Sequence, residues 1–219
     1  MRIAALIPAK KKSVRLKNKN FMLYKGIPII EHTIKEAKKT KLFSEIAVST
    51  DNKKLQKRLK TLNVKFHLRK KKLCNTKATL VEVIEEYLKN SKNKIDILCV
   101  LLATAPLRNF KDIKSVIKLL NKKNCNFSLA ATSYNLPPHQ ALKLKKNNFV
   151  YPLFKKIINE REDKFGKLVV DNGSTYAFFV KDFLKQKNFF GKKLKVYVMP
   201  KKKSFDLNDK EDLDIIKAL

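Results

Sequence analysis

A succession of short apolar runs separated by helical stripes sets the limits on what this chain can fold into. Ile3-Ala4-Ala5-Leu6-Ile7 has no polar alternation and is too short for a stable helix, so it reads as a strand covered on both faces. Ile46-Ala47-Val48, Val64 to His67, Ile95 to Ala103 and Phe127 to Ala131 read as further strands. Ile95 to Ala103 is the most apolar stretch and is expected at the centre of the sheet. Between the strands, Ile29, Ile30, Thr33, Ile34 and Ala37 recur at helical spacing, as do Leu80, Val83, Ile84, Tyr87 and Leu88, and Phe110 to Leu120 follows suit. Pro28 suits the first position of the first helix, and Asp51 is placed to cap another from about Asn52 to Lys60. Strand and helix alternating in this way specify an α/β chain with a doubly wound, mainly parallel sheet and right-handed crossovers.

The alternation breaks after Leu136-Pro137-Pro138-His139. Ala141 to Leu144 and Phe149 to Leu153 read as strand pieces about a Lys-Lys-Asn-Asn turn, within an excursion over about 137–168 that fits a lid or a subunit interface. Order resumes at Leu168. Asp171-Asn172-Gly173-Ser174 is expected as a turn before a strand from Thr175 to Val180. A short helix, a strand from Lys195 to Val198 and a helix capped by Asp206-Leu207-Asn208-Asp209 then close the chain. With no internal repeat or linker, 1–219 reads as a single domain.

The formal charge of +32 would ordinarily point to nucleic acid or an anionic membrane. Here lysine is spread over every segment, with no RNA-recognition signature, zinc-finger spacing or basic helix interleaved with aromatics, so nucleic acid is not the expected partner. Affinity for it would fall steeply with salt, whereas a positive field steers any anionic small substrate to a cleft. No apolar stretch is long enough to cross a bilayer and the N-terminus lacks a signal-peptide pattern, which predicts a soluble, cytoplasmic protein. Cys74, Cys99 and Cys125 form no CxxC pair and are expected as free thiols.

The loop after the first strand carries the chemistry. In an open α/β sheet, ligands sit at the carboxyl ends of the strands. Lys10, Lys11, Lys12, Arg15, Lys17 and Lys19 crowd that place here, with Ser13, Asn18 and Asn20 between them. Such a loop suits a polyanion, although charge alone fits a solvated basic turn as well.

Five stretches together resemble one family. IPAKKKSVRLKNKN, Ser49-Thr50-Asp51, LLATAPLR (Leu101 to Arg108), DNGSTY (Asp171 to Tyr176) and FDLNDKEDL (Phe205 to Leu213) match, in order and spacing, the motifs of the acylneuraminate cytidylyltransferases and their legionaminic and pseudaminic acid relatives. The resemblance implies a three-layer nucleotide-diphospho-sugar transferase fold. It also implies that CTP and Mg2+ convert a nonulosonic acid into its CMP derivative with release of pyrophosphate, in a homodimer. By position, Lys10 stands for the family's phosphate-binding arginine and Lys19-Asn20 for its Lys-Asn pair, with Ser13 and Arg15 as further nucleotide contacts. Arg69 and Thr79 match the base and ribose segment, Thr104 and Asn172 the sugar side, and Asp206 and Asn208 the metal ligands. Lys10, Lys19 and Asp206 are the catalytic candidates, and Arg108 is expected to serve structure.

The departures from the family pattern are specific. Lys11 and Lys12 replace glycines that let the backbone approach phosphate. Lys10 neutralises charge but lacks arginine's planar fork. Leu102 and Ala103 replace a glutamine and a proline. Asn208 replaces the second carboxylate of Asp-x-Asp, leaving Asp206 as the main anchor, with Asp209 either a shifted ligand or a helix cap. The competing expectations are a cytidylyltransferase for another acidic sugar, and a weakened homologue that binds nucleotide or a partner.

Overall fold

The computed structural model describes residues 1–219 except Lys12, Val14, Arg15 and Lys17. Arg15, a nucleotide-binding candidate, therefore lies outside the described residues, as does the Lys12 replacement. In chain order the strands are β1 (Ile3–Pro8), β2 (Leu23–Tyr24), β3 (Ile27–Pro28), β4 (Glu45–Thr50), β5 (Lys65–Leu68), β6 (Ile97–Leu101), β7 (Phe127–Ser133), β8 (Leu142–Leu144), β9 (Val150–Pro152), β10 (Val169–Phe179) and β11 (Leu194–Val198). The helices are α1 (Ile29–Lys39), α2 (Leu55–Thr61), α3 (Leu80–Lys89), α4 (Phe110–Lys118), α5 (Val180–Gln186) and α6 (Lys210–Ala218).

Seven strands form one sheet in the order β11-β7-β10-β6-β1-β4-β5, with β6 at its centre. Side chains alternate across it because the strand period is two. Ala5, Ile7, Val48, Cys99 and Leu101 face one apolar layer, packed with Ile29, Ile34, Ile113 and Ile216 from α1, α4 and α6. Ala4, Leu6, Ala47, Leu98 and Val100 face the other, with Ile84, Tyr87 and Phe183 from α3 and α5. Burial on both faces explains why the strand sequences are continuously apolar.

The sheet is mainly parallel, as the alternation indicated, with one antiparallel strand inserted. β1, β4, β5 and β6 are parallel neighbours, but β7 does not pair with β6. β10 lies between them, antiparallel to both. Asp171 to Ser174 is not a turn before this strand but an irregularity within it: the pairing with β7 shifts between Asp171 and Tyr176, and Gly173 has φ +65°. A strand that bends in this way re-aims its side chains.

Two further expectations are corrected. Pro28 ends the β2–β3 hairpin and occupies the N-cap of α1, not its first turn. Lys25 and Gly26 both have positive φ, the geometry of a two-residue hairpin turn, and the hairpin delivers Pro28 extended. Asp51 caps nothing. α2 begins only at Leu55, and Asp51 instead accepts the Lys11 backbone N–H at 2.6 Å, which ties the first loop to the end of β4. The excursion contains the antiparallel β8–β9 pair, with Leu142, Leu144, Phe149 and Val150 exposed.

Gly191 is required by close approach. A Cβ there would fall 2.5 Å from the Phe127 ring, which is fully buried. Gly191→Ala is expected to destabilise the fold by about 1–3 kcal/mol, the usual cost of overpacking, read as a lower urea midpoint with an unchanged slope.

Candidate active site

The site is assembled at the carboxyl ends of β1, β4 and β6. Beyond β1 the chain is held to β4 by Ala9 N–H donating to the Ser49 carbonyl at 2.9 Å and by the Lys11–Asp51 bond. The loop closes on itself where Asn20 Nδ2 donates to the Lys10 carbonyl at 3.1 Å, burying Asn20. Lys10 Nζ reaches the Asn75 carbonyl at 3.4 Å. Lys19 Nζ donates to the Leu207 carbonyl at 3.2 Å, and Leu207 N–H donates to the Thr104 carbonyl at 2.8 Å. The chain's first loop, the end of its central strand and the segment before its last helix thus meet at one point.

Lys10, Lys19, Asn20, Arg69, Thr79 and Thr104 line a single cavity of about 200 Å³, together with Asn75 and Leu102. Six of the residues named from sequence for catalysis, nucleotide or sugar are brought together here. Ser13 is not among its lining residues. Arg69 is buried, not a surface arginine: Nε donates to Ser49 Oγ at 3.2 Å and Nη2 to the Ser49 carbonyl at 2.9 Å. Thr79 is the N-cap of α3 in a reciprocal capping box with Glu82, so its hydroxyl serves the helix at the cavity rim.

Asp206 sits behind Thr104, hydrogen-bonded to its side chain and attracted by the Lys19 charge, yet burial dominates and holds its carboxyl above the ordinary range. On its far side lies a second cavity of about 740 Å³, lined by Asp171, Asn172, Gly173, Asp206, Asn208 and Lys201 among others. Asn172 lines it but is fully engaged, donating to Ser204 Oγ at 3.0 Å and accepting Ser174 N–H at 3.2 Å. A third cavity of about 730 Å³, by Lys38, Lys60 and Phe66, contains none of the candidate residues.

The sequence model of the cytidylyltransferase family matches residues 4–219. The chain belongs to the cytidylyltransferase family. Within it, the acylneuraminate branch is the one its relatives name. A pseudaminic acid cytidylyltransferase of Campylobacter jejuni is 29% identical over all of this chain and 96% of its own length. An N-acylneuraminate cytidylyltransferase of Escherichia coli is 25% identical over 98% of this chain and 51% of its own. Among solved structures, a CMP:2-keto-3-deoxy-manno-octonic acid synthetase complexed with CTP superimposes with a TM-score of 0.73 over the whole chain at 14% identity, which shows a shared fold.

The Asp206-Leu207-Asn208 segment of this cytidylyltransferase, where the family resemblance implies a metal, has donors of its own to offer. Asp206 Oδ1 and Asn208 Oδ1, two residues apart in the segment before α6, are buried without a hydrogen-bond partner among the described residues. Two orphaned oxygens fit a hard cation that takes its remaining ligands from phosphate and water. Among the described residues no three His, Cys, Asp or Glu side chains group to hold a metal alone. Asp209 is not a shifted ligand. It caps α6 by accepting Asp212 N–H at 3.0 Å, while Asp212 accepts the N–H groups of Asn208 and Asp209.

Residues overlooked in the sequence also converge on this cytidylyltransferase site. Asp171 Oδ2 accepts the Tyr176 hydroxyl at 2.7 Å, and burial with the Asp171 and Asp206 charges raises the phenol further from ionisation. Both lie in the DNGSTY stretch, where the sequence pointed to a turn and to Asn172 but gave these two residues no role of their own.

Proposed function

We propose that this cytidylyltransferase transfers CMP from CTP to a nonulosonic acid of the pseudaminic, legionaminic or sialic type, releasing pyrophosphate. The observation that carries the reading is that Lys19 and Thr104 line the smaller cavity while Asp206, coupled to both, lines the larger; we read the smaller as the nucleotide side and the larger as the sugar side. The full-length likeness to a pseudaminic acid cytidylyltransferase supports the pseudaminic type first.

In the reaction the sugar's anomeric hydroxyl attacks the α-phosphorus of CTP. A new P–O bond forms, the bond to the β-phosphate oxygen breaks, and the hydroxyl proton passes to solvent or pyrophosphate. Little covalent work falls to the protein, so rate comes from positioning and charge neutralisation. Lys10 and Lys19 supply fixed positive charge at the nucleotide-side cavity. Arg69 and the wall from Leu73 to Val83 receive the nucleoside. Asp206 and Asn208 would hold Mg2+, which when bound neutralises phosphate charge. Asn172 shapes the sugar side through the bend in β10 and does not need a free amide to do so. We assign the exposed apolar residues of β8–β9 to a homodimer contact, and place the enzyme in the cytoplasm with its CTP.

Lys19→Met is expected to lower kcat/KM for CTP by about 10²-fold, the scale of losing one preorganised charge contact in phosphoryl transfer, with the unfolding midpoint little changed. The reading itself is tested by incubating the protein with CTP, Mg2+ and a panel of pseudaminic, legionaminic, neuraminic and eight-carbon acidic sugars while measuring pyrophosphate. Release with a nonulosonic acid, and not with UTP in place of CTP, is the expected result. Release only with the eight-carbon sugar would replace the substrate class.

A further inference from the structure

Behind the nucleotide-side cavity runs a line of buried polar groups that no part of the mechanism above uses. Glu86 on α3 lies with Oε2 at 3.1 Å from His67 Nε2 on β5. His67 Nδ1 lies 3.1 Å from Ser49 Oγ on β4, and Ser49 Oγ receives Arg69 Nε at 3.2 Å. Ser49 is fully buried, and Arg69 and Glu86 are 7% and 9% exposed. His67 Nε2 and Glu86 Oε2 are buried, and apart from this ion-pair contact neither has a hydrogen-bond partner among the described residues. Glu86 Oε1 is occupied by Asn90 Nδ2 at 2.9 Å.

Donor counting together with the Glu86 charge sets the direction of this line. Arginine only donates, so one lone pair of Ser49 Oγ accepts from Arg69, which leaves its proton and its other lone pair for His67 Nδ1. The Glu86 carboxylate 3.1 Å from Nε2 selects the tautomer with the proton on Nε2, so Ser49 directs its own proton to Nδ1. The opposite tautomer would aim a lone pair at that carboxylate. A doubly protonated ring is disfavoured by burial first, and by the Arg69, Lys65 and Lys70 charges, against the attraction of Glu86. The Tyr87 ring edge covers the imidazole at 5.4 Å and keeps it in place. At the end of the line Arg69, a lining residue of the cavity, commits Nε and Nη2 to Ser49, and Nη1 has no hydrogen-bond partner among the described residues.

We propose that Glu86, His67 and Ser49 form a relay that fixes the Arg69 guanidinium in the wall of the nucleotide-side cavity, making them positioning residues for CTP. The proposal rests on the reading of that cavity as the CTP site. The relay holds the guanidinium by both ends of one edge, so that Nη1 meets the nucleotide without a search over rotamers. Glu86 also belongs to α3, whose Thr79 cap and Val83 line the same cavity, so helix and arginine are set together.

The test combines nitrogen NMR of the His67 ring with CTP titration calorimetry in the presence of Mg2+. In the wild type the ring is expected as the Nε2–H tautomer. Glu86→Gln, which keeps an acceptor, is expected to preserve that tautomer and bind CTP within about threefold of wild type. Glu86→Leu and Ser49→Ala are each expected to weaken CTP about tenfold, the scale of removing a support behind a charged binding group. The double variant Glu86→Leu/Arg69→Gln should bind no more weakly than Arg69→Gln alone, whereas a merely structural role would add. An Nδ1–H tautomer in the wild type, unchanged CTP affinity in Ser49→Ala, or additive losses would each overturn the relay. If Glu86→Leu fails to fold, Ser49→Ala and the wild-type tautomer decide. A wild type with the Nε2–H tautomer that binds no CTP would overturn the assignment of the cavity instead.

Discussion

Asp206→Asn is expected to cut pyrophosphate release by at least about 10²–10³-fold and, in metal-free buffer, to raise the melting temperature. The loss follows from removing the one carboxylate among the proposed metal ligands of a phosphoryl-transfer centre, where fixed charge carries most of the catalysis. The gain in stability follows from its burial. Burial holds the Asp206 carboxyl above its ordinary range despite the Thr104 bond and the Lys19 charge, so its ionised form is a cost to the folded state at neutral pH. For a carboxyl raised in this way the cost is absent below its unfolded titration and grows as pH rises through its folded one. Asparagine keeps the shape and a hydrogen-bonding oxygen without the charge. Opposite movements of activity and stability mark a residue kept for function. Measured by pyrophosphate assay and thermal unfolding with a chelator, a fall in melting temperature together with activity would instead make Asp206 a structural carboxylate.

Arg108→Met is expected to do the reverse, acting through the fold. The guanidinium is 2% exposed. It donates to the carbonyls of Leu102 at 3.2 Å and Ser174 at 2.6 Å, and to Thr33 Oγ1 at 3.0 Å. Burial lowers its pKa to about 10, which leaves it charged at neutral pH. It therefore joins the end of β6, the bend of β10 and α1 through one side chain. Methionine would fill much of the volume but remove all three donations, leaving the Ser174 carbonyl with only the Leu102 N–H and taking the Arg108 donor from the Leu102 carbonyl and Thr33 Oγ1. The expected loss is about 3–5 kcal/mol, comparable to breaking a buried polar network. In a chain of this size that lowers the melting temperature by roughly 10 °C. Arg108→Lys should recover little of it, because a single ammonium cannot span the fork. Urea midpoints of the two variants check this, and a wild-type midpoint in Arg108→Met would show that the three acceptors find other donors.

Much of the scaffold was legible because it is written in apolar periodicity. Ile3–Ile7 and Ile95–Ala103 are continuous apolar runs since both faces of β1 and β6 are covered, and that pattern survives without knowledge of neighbours. Strand order is different. Nothing in the β7 or β10 sequences reports that β10 inserts antiparallel beside β6, because pairing partners are chosen by long-range packing. The misplacement of Asp51 has a local cause. A cap and a loop anchor use the same acceptor chemistry, and only the late start of α2 at Leu55 distinguishes them.

The candidate site was legible where motifs lie at chain turns, as for Lys10, Lys19, Thr104 and Asp206. It was not legible where function depends on residues that meet from three elements without any spacing rule. Ser49, His67 and Glu86 come from β4, β5 and α3, and only the fold aligns them. Arg69 shows the intermediate case: its type and place were evident, but its burial against Ser49 was not, because a four-residue strand exposes no sign of what covers it.

The most direct measurement is a single-turnover reaction with enzyme in excess over CTP radiolabelled at the α-phosphate, in the presence of Mg2+ and pseudaminic acid. The account predicts that the label moves into a CMP-linked sugar as pyrophosphate appears in equal amount. CTP that binds but is recovered intact with every nonulosonic acid would contradict it, and would make the chain a nucleotide-binding member of the family without turnover.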